Sequence, residues 1–214
     1  MTKELKNSIK KINRCKNEII RVGEILYSKG LVAGTDGNIS IRTGPETMLT
    51  TCSGVHKGMM EPDQIIETTF ARILEKNDPQ SRDEGCPPST EAAMHALIYR
   101  RSPEIRAVIH AHCPWSTALS LASGDDAEGI DLSGLEEGRL LFGKVPMAPV
   151  LPPGSMTLAE SVALHFPKSR AVIMKAHGAV TAGRDLSEAF NLMEALEHNC
   201  RILGIAAMLG RNRA

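Results

Sequence analysis

The 214-residue chain has no excess of charge of either sign: 25 Lys and Arg balance 25 Asp and Glu. Without a net field, nothing in the composition draws it to nucleic acid or to an anionic membrane, and a small-molecule partner is expected. No apolar run approaches the roughly 18 residues that a membrane-spanning helix needs. The opening Met1-Thr2-Lys3-Glu4-Leu5-Lys6 lacks the apolar stretch of a secretory leader, so the expected setting is the cytoplasm. The five cysteines (Cys15, Cys52, Cys86, Cys113, Cys200) contain no C-x-x-C pair. An odd, scattered set predicts free thiols in a reducing compartment. There is no internal repeat. What is present is enough apolar material, 42% of residues, for one substantial core, and 1–214 reads as a single domain.

Periodicity supplies the elements. Leu5, Ile9, Ile12, Ile19, Ile20, Val22, Ile25 and Leu26 recur mainly at three- and four-residue steps, predicting an amphipathic helix over 3–29 capped by Gly30. Residues 37–42 and 48–51 read as a hairpin, and 65–73 as a further strand. A polar loop over 77–88 leads to a helix over 92–99, with Ser89 placed as its N-cap. Strands are expected at 107–112, 145–150 and 170–177, helices at 116–122 and 157–166, and a Gly- and Asp-rich loop over 123–138. Asp185 and Glu188 form a capping-box start for a long helix reaching 209. Strands and helices interleave without a strict βαβ period, so the expected fold is α/β, a sheet flanked by helices in one three-layer domain.

His110-Ala111-His112 follows the apolar run Ala107-Val108-Ile109, and His177 ends a second such run just before Gly178. A single histidine at a strand end is usually a hydrogen-bonded structural residue. Two are harder to dismiss, because alternate residues of a strand share a face and adjacent imidazoles there cost desolvation unless something binds them. With His177 they would offer three nitrogens to one metal ion. Cys113 falls on the opposite face. His95, His165 and His198 lie in helical segments without metal spacing and receive no role.

Gly37-Asn38-Ile39-Ser40 and Thr51-Cys52-Ser53-Gly54 each combine glycine with small polar side chains, which suits convergence of N–H groups on an anion such as phosphate. Each alone is ordinary turn chemistry. Ser89-Thr90, at a helix N-terminus, adds a third candidate cradle. His56-Lys57 reads as a solvated loop, or as positive charge near such a phosphate. Lys175 invites a Schiff-base reading, which nothing in the sequence supports with a lowered pKa.

In order, Gly-Asn-Ile-Ser, Ser-Gly, Pro-Ser-Thr-Glu, His-Ala-His and His-Gly resemble the class II aldolase/adducin family, most closely its fuculose-1-phosphate aldolase-like enzymes, over roughly 8–209. The resemblance implies an α/β/α sandwich with a central, mostly antiparallel sheet, a Zn²⁺ ion and a homotetramer with sites at subunit interfaces. It implies His110, His112 and His177 as zinc ligands and Glu91 as the catalytic carboxylate, which also approaches the metal. Gly37, Asn38, Ser53, Gly54, Ser89 and Thr90 would hold the phosphate of a sugar substrate. Retro-aldol cleavage leaves an enediolate whose charge Zn²⁺ stabilises as a Lewis acid, and three neutral imidazoles leave the ion its full charge and open positions. Without the histidines, Glu91 would read as an acidic residue stabilised by the helix dipole.

The chain departs from the pattern at the proton donor: such aldolases use a tyrosine from a neighbouring subunit, and no tyrosine follows Tyr99 here. The stretch 130–138 is acidic and aliphatic instead. No tail is expected to close over the site beyond the last helix. Methylthioribulose-1-phosphate dehydratase and pentulose-phosphate 4-epimerase activities, which share the metal logic, stay open. So does a non-catalytic adducin-like interaction module, although retention of three histidines and Glu91 argues against it.

Overall fold

A computed structural model of the chain describes residues 2–75, 85–124 and 126–211. The predicted loop over 77–88 therefore lies largely outside the described residues. Eight strands form one sheet in the order β3-β2-β1-β4-β8-β7-β6-β5. These are β1 (Asn38–Arg42), β2 (Thr47–Thr51), β3 (Ile65–Thr69), β4 (Ala107–Ala111), β5 (Gly129–Asp131), β6 (Lys144–Ala148), β7 (Ala171–Met174) and β8 (Gly178–Gly183). Every neighbouring pair is antiparallel except β6 with β7. The sandwich and its mostly antiparallel sheet are as expected.

Seven helices flank the sheet among the described residues: α1 (Lys3–Ser28), α2 (Phe70–Leu74), α3 (Ala92–Arg101), α4 (Pro114–Ala122), α5 (Glu136–Leu141), α6 (Met156–Ala163) and α7 (Leu186–Arg211). Alternation along the strands divides the core in two. Ala107, Ile109 and Ala111 of β4 pack with Ile173, Ala179 and residues of α1 and α7. Val108 joins Val172, Met174, Val180 and the α3 and α6 residues Ala96, Tyr99 and Val162 on the other face. His110 shares the parity of Val108, so it points toward α3.

Several elements differ from expectation. Residues 65–73 split into β3 and α2, because Thr69 caps a helix by accepting from the Arg72 N–H. The strand expected over 170–177 ends at Met174, and a three-residue turn leads into β8, a strand that the apolar pattern does not predict. The loop 123–138 contains β5 and the start of α5. Ser89 is not the N-cap of α3. Its N–H donates to the Thr51 carbonyl (3.2 Å), which keeps it beside β2, and the helix begins after Glu91. The five cysteines are not all free: Cys52 and Cys86 are joined, because the Cys52–Pro88 bridge lays the 86–88 segment against the end of β2. Cys113 does face away from the histidines, with its Sγ 3.4 Å from Met193 Sδ. Asp185 accepts from the Glu188 N–H (2.7 Å) at the start of α7, one half of the expected capping box, while the Glu188 side chain accepts from the Arg184 N–H (2.6 Å), one residue earlier than the box requires.

Candidate active site

The close pairing of β4 with β1 and β8 fixes where the histidines can go. Gly37 leads into β1 with φ +70°, and a Cβ on it would lie 2.5 Å from the His110 carbonyl oxygen, so the backbones meet there only because this residue has no side chain. On the other side His110 pairs with Val180 and Ala111 with Ala179. His110 is fully buried, and its Nδ1 stands 3.0 Å from the Ala179 carbonyl oxygen. A carbonyl accepts only, so Nδ1 carries a proton and Nε2 is the nitrogen turned toward the cluster. His112, just past the end of β4, brings its Nε2 to 3.1 Å from the His110 Nε2.

His177 arrives from the β7–β8 turn. Its N–H bonds the Met174 carbonyl at 3.0 Å, and Ala176 before it is held at φ 59°. Left-handed backbone is unfavourable for alanine, and here the Ser120 hydroxyl fixes it by accepting from the Ala176 N–H (3.0 Å). Glu91 closes the group from the start of α3: Oε2 lies 3.2 Å from His110 Nε2 and Oε1 lies 3.5 Å from His177 Nε2. Ligand atoms of Glu91, His110, His112 and His177 all fall within 4.8 Å of one another.

This donor set fits a divalent cation. Tetrahedral ligation at a Zn–N distance of about 2.0–2.1 Å puts ligand nitrogens roughly 3.3 Å apart, and the two imidazoles stand at nearly that spacing. Burial, then the mutual repulsion of the histidines, lowers the His112 pKa to about 4. His177 is lowered by burial and then by His110. Burial pushes the Glu91 carboxyl up, but the histidines, His110 foremost, outweigh it and hold the group at about 2. At neutral pH Glu91 is therefore a carboxylate, and His112 and His177 are held toward their neutral, ligating forms.

Three further contacts support the cluster. Asp36 Oδ2 lies 3.5 Å from His112 Nδ1, so a carboxylate backs the imidazole on the side away from the cluster. Asn38 donates its side-chain N–H to Glu91 Oε2 (3.1 Å). Beneath them His95, assigned no role from sequence, is fully buried with Nδ1 2.7 Å from Ser40 Oγ, which also bonds Tyr99 (2.8 Å). Burial lowers the His95 pKa to about 3, with His110 contributing. Its spacing from Glu91 and Tyr99, four residues each way along α3 and its N-cap, was the available signal.

The cluster forms one wall of a cleft of about 640 Å³. Gly37, Asn38, Ser53, Gly54, Ser89 and Thr90 line it, with Glu91, His112 and His177, while His110 stands behind. Lys57 lines it too, and it is not on a solvated loop: it is 1% exposed. Lys175 also reaches the cleft, with its Nζ donating to the Gly124 carbonyl (3.1 Å). A neighbouring cavity of about 700 Å³ contains none of the cluster. No helix among the described residues is long and apolar enough to cross a membrane.

Residues 17–203 match the Class II Aldolase and Adducin N-terminal domain. The chain is 29% identical over 190 residues to 3-oxo-tetronate 4-phosphate decarboxylase of Escherichia coli, spanning 89% of this chain and 86% of that one. It is 34% identical over 190 residues to methylthioribulose-1-phosphate dehydratase of Methylococcus capsulatus, spanning 85% and 88%. The crystal structure of L-fuculose-1-phosphate aldolase from Thermus thermophilus superposes with a TM-score of 0.77 at 31% identity, covering 94% of this chain and 98% of that one.

Proposed function

Since the chain belongs to the class II aldolase and adducin family, we propose that it is a metal-dependent aldolase cleaving a phosphorylated ketose of the fuculose-1-phosphate type into dihydroxyacetone phosphate and an aldehyde. One observation carries the reading: Glu91, His112 and His177, with His110 behind them, and the loops suited to a phosphate meet at a single cleft. Three imidazoles and a carboxylate suit zinc among the common divalent ions. A cation held there supplies positive charge for the enediolate left when the carbon–carbon bond breaks.

The chain's own residues do the rest. Ser53, Gly54, Ser89 and Thr90 hold the phosphate, with Gly37 and Asn38 closing the same end of the cleft. This fixes the distance from the phosphate to the reacting carbons. Glu91, ionised and steered by the Asn38 amide, moves a proton at the carbon beside the carbonyl, a role worth about 10²–10⁴ in rate. Burial of His110 and half-burial of Glu91 keep bulk water away from that proton. By the same reading the protein is a cytoplasmic homotetramer whose partner is a small phosphorylated sugar, and sedimentation analysis tests the assembly.

Dehydration is the second reading. No tyrosine follows Tyr99, so the family's aldol proton donor has no counterpart here, and the dehydratase relative is 34% identical. The experiment offers the purified protein dihydroxyacetone phosphate with a panel of aldehydes, and separately methylthioribulose 1-phosphate and a 3-oxo-tetronate 4-phosphate. Consumption of the ketone with an aldehyde supports the aldolase. Loss of water or of carbon dioxide from the other substrates, with the aldehyde panel inert, replaces it.

A further inference from the structure

Lys57 is buried in a way that its place in the sequence does not explain. Lysine is almost never fully buried unless something pairs with it, yet this side chain is 1% exposed. Its Nζ donates to the Thr35 carbonyl (3.0 Å) and the Val55 carbonyl (2.6 Å). An ammonium has three N–H donors, and among the described residues these two carbonyls are the acceptors found for it. No carboxylate stands within ion-pair distance among the described residues. Asp36 acts on it only from further away, and burial lowers its pKa to about 8. The base of the side chain is rigid as well. Its segment, 57–59, packs against α1 at Gly23, where a Cβ would lie 2.5 Å from the Lys57 carbonyl oxygen.

The two carbonyls belong to the two loops that bracket the candidate phosphate cradle, Thr35 ahead of Gly37 and Val55 just after Gly54. By drawing both oxygens onto its ammonium, Lys57 turns acceptor groups away from the cleft, where they would repel an anion. It also sets a positive charge with no carboxylate in contact beside the cleft, in a medium where charge acts more strongly than in water.

We propose that Lys57 is a positioning residue for the anionic end of the substrate, holding the loops that carry Gly37 and Gly54 and supplying the buried counter-charge for a phosphate group. This rests on the sugar-phosphate reading of the same cleft. The shared chemistry is a phosphate monoester or inorganic phosphate.

The test compares the wild type with Lys57→Met and Lys57→Arg, each checked first for circular dichroism and metal content. Calorimetry with inorganic phosphate should show affinity falling about tenfold or more in Lys57→Met and largely kept in Lys57→Arg, since one charge at close range decides it. With a turned-over ketose phosphate, the loss should fall on KM more than on kcat. A folded, metal-replete Lys57→Met that binds phosphate like the wild type overturns the proposal, as does a loss confined to kcat. Should Lys57→Met not fold, isotope-labelled lysine in the wild type decides. Saturating phosphate should raise the titration midpoint of the Lys57 side chain, and an unmoved midpoint overturns the idea. Phosphate binding that depends on Lys57 in a protein inert toward every ketose phosphate would uphold this inference while removing the aldolase reading.

Discussion

Asp36 and His112 form the outermost link of the site: Oδ2 lies 3.5 Å from Nδ1, while the opposite nitrogen of the same ring faces His110. A carboxylate there favours the tautomer with Nδ1 protonated and raises the basicity of Nε2. Replacing Asp36 by Asn keeps the shape and removes the charge. Metal affinity, measured by competition with a chromogenic chelator, should fall about tenfold, the lower end of the range for such partners given the long contact. Unchanged affinity would detach Asp36 from the metal site.

Glu91→Gln preserves volume and the contact with Asn38 but removes the proton acceptor. Turnover should fall by about 10²–10⁴ while inorganic phosphate binds nearly as before. Since Glu91 also approaches the histidines, metal content must be measured alongside. Turnover within a fewfold of wild type at full metal occupancy would take the carboxylate out of the chemistry.

Metal removal separates an enzyme from an interaction module. Purified protein should contain about one divalent ion per chain, and dialysis against a chelator should abolish activity, with zinc restoring it. A folded, active, metal-free protein is the outcome that contradicts the cluster's assignment.

Acid should destabilise the fold through His95. Burial holds its pKa at about 3 in the folded chain against 6.5 when exposed, so the unfolded state takes up the proton first. The contribution is absent above about pH 6.5, and stability falls as pH drops from there toward about 3. Urea unfolding midpoints at pH 7 and pH 5 should differ, and His95→Gln should show a shallower dependence over the same window. An equal slope in that variant would mean that other groups set it.

Gly37→Ala tests the close approach of β1 and β4. The added methyl meets the His110 carbonyl in a backbone conformation alanine disfavours. We expect a loss of about 2 kcal/mol or more in thermal or urea unfolding, with metal retention falling too.

The parts of this protein that could be read from its sequence are those governed by local periodicity or by one strand's alternation. The 3–29 helix, the 38–51 hairpin and the shared face of His110 and His112 follow from spacing alone, and the described chain has them. β8 was missed because small residues, Gly178, Ala179 and Ala182, dilute its apolar signal, though Val180 and Thr181 carried it. Asp36, Lys57 and the Asn38–Glu91 contact depend on where two loops meet across the sheet, which no local pattern encodes. Ser89 was misread as a cap because its bond to Thr51 comes from a strand 38 residues earlier in the chain. Burial was the hidden variable for Lys57: the short stretch around it shows no periodic pattern, and packing of its segment on α1 takes it out of water.

The adjacency of β4 to β8 carries a last consequence for how this chain can go wrong. A slip of one residue between those strands would send the His110 ring into the opposite half of the core and present Ile109 or Ala111 in its place. A misaligned sheet could still collapse, but it would be blind to cations. Ion retention thus doubles as a check on strand alignment, and a preparation that fails to hold zinc reports faulty folding before any assay of catalysis.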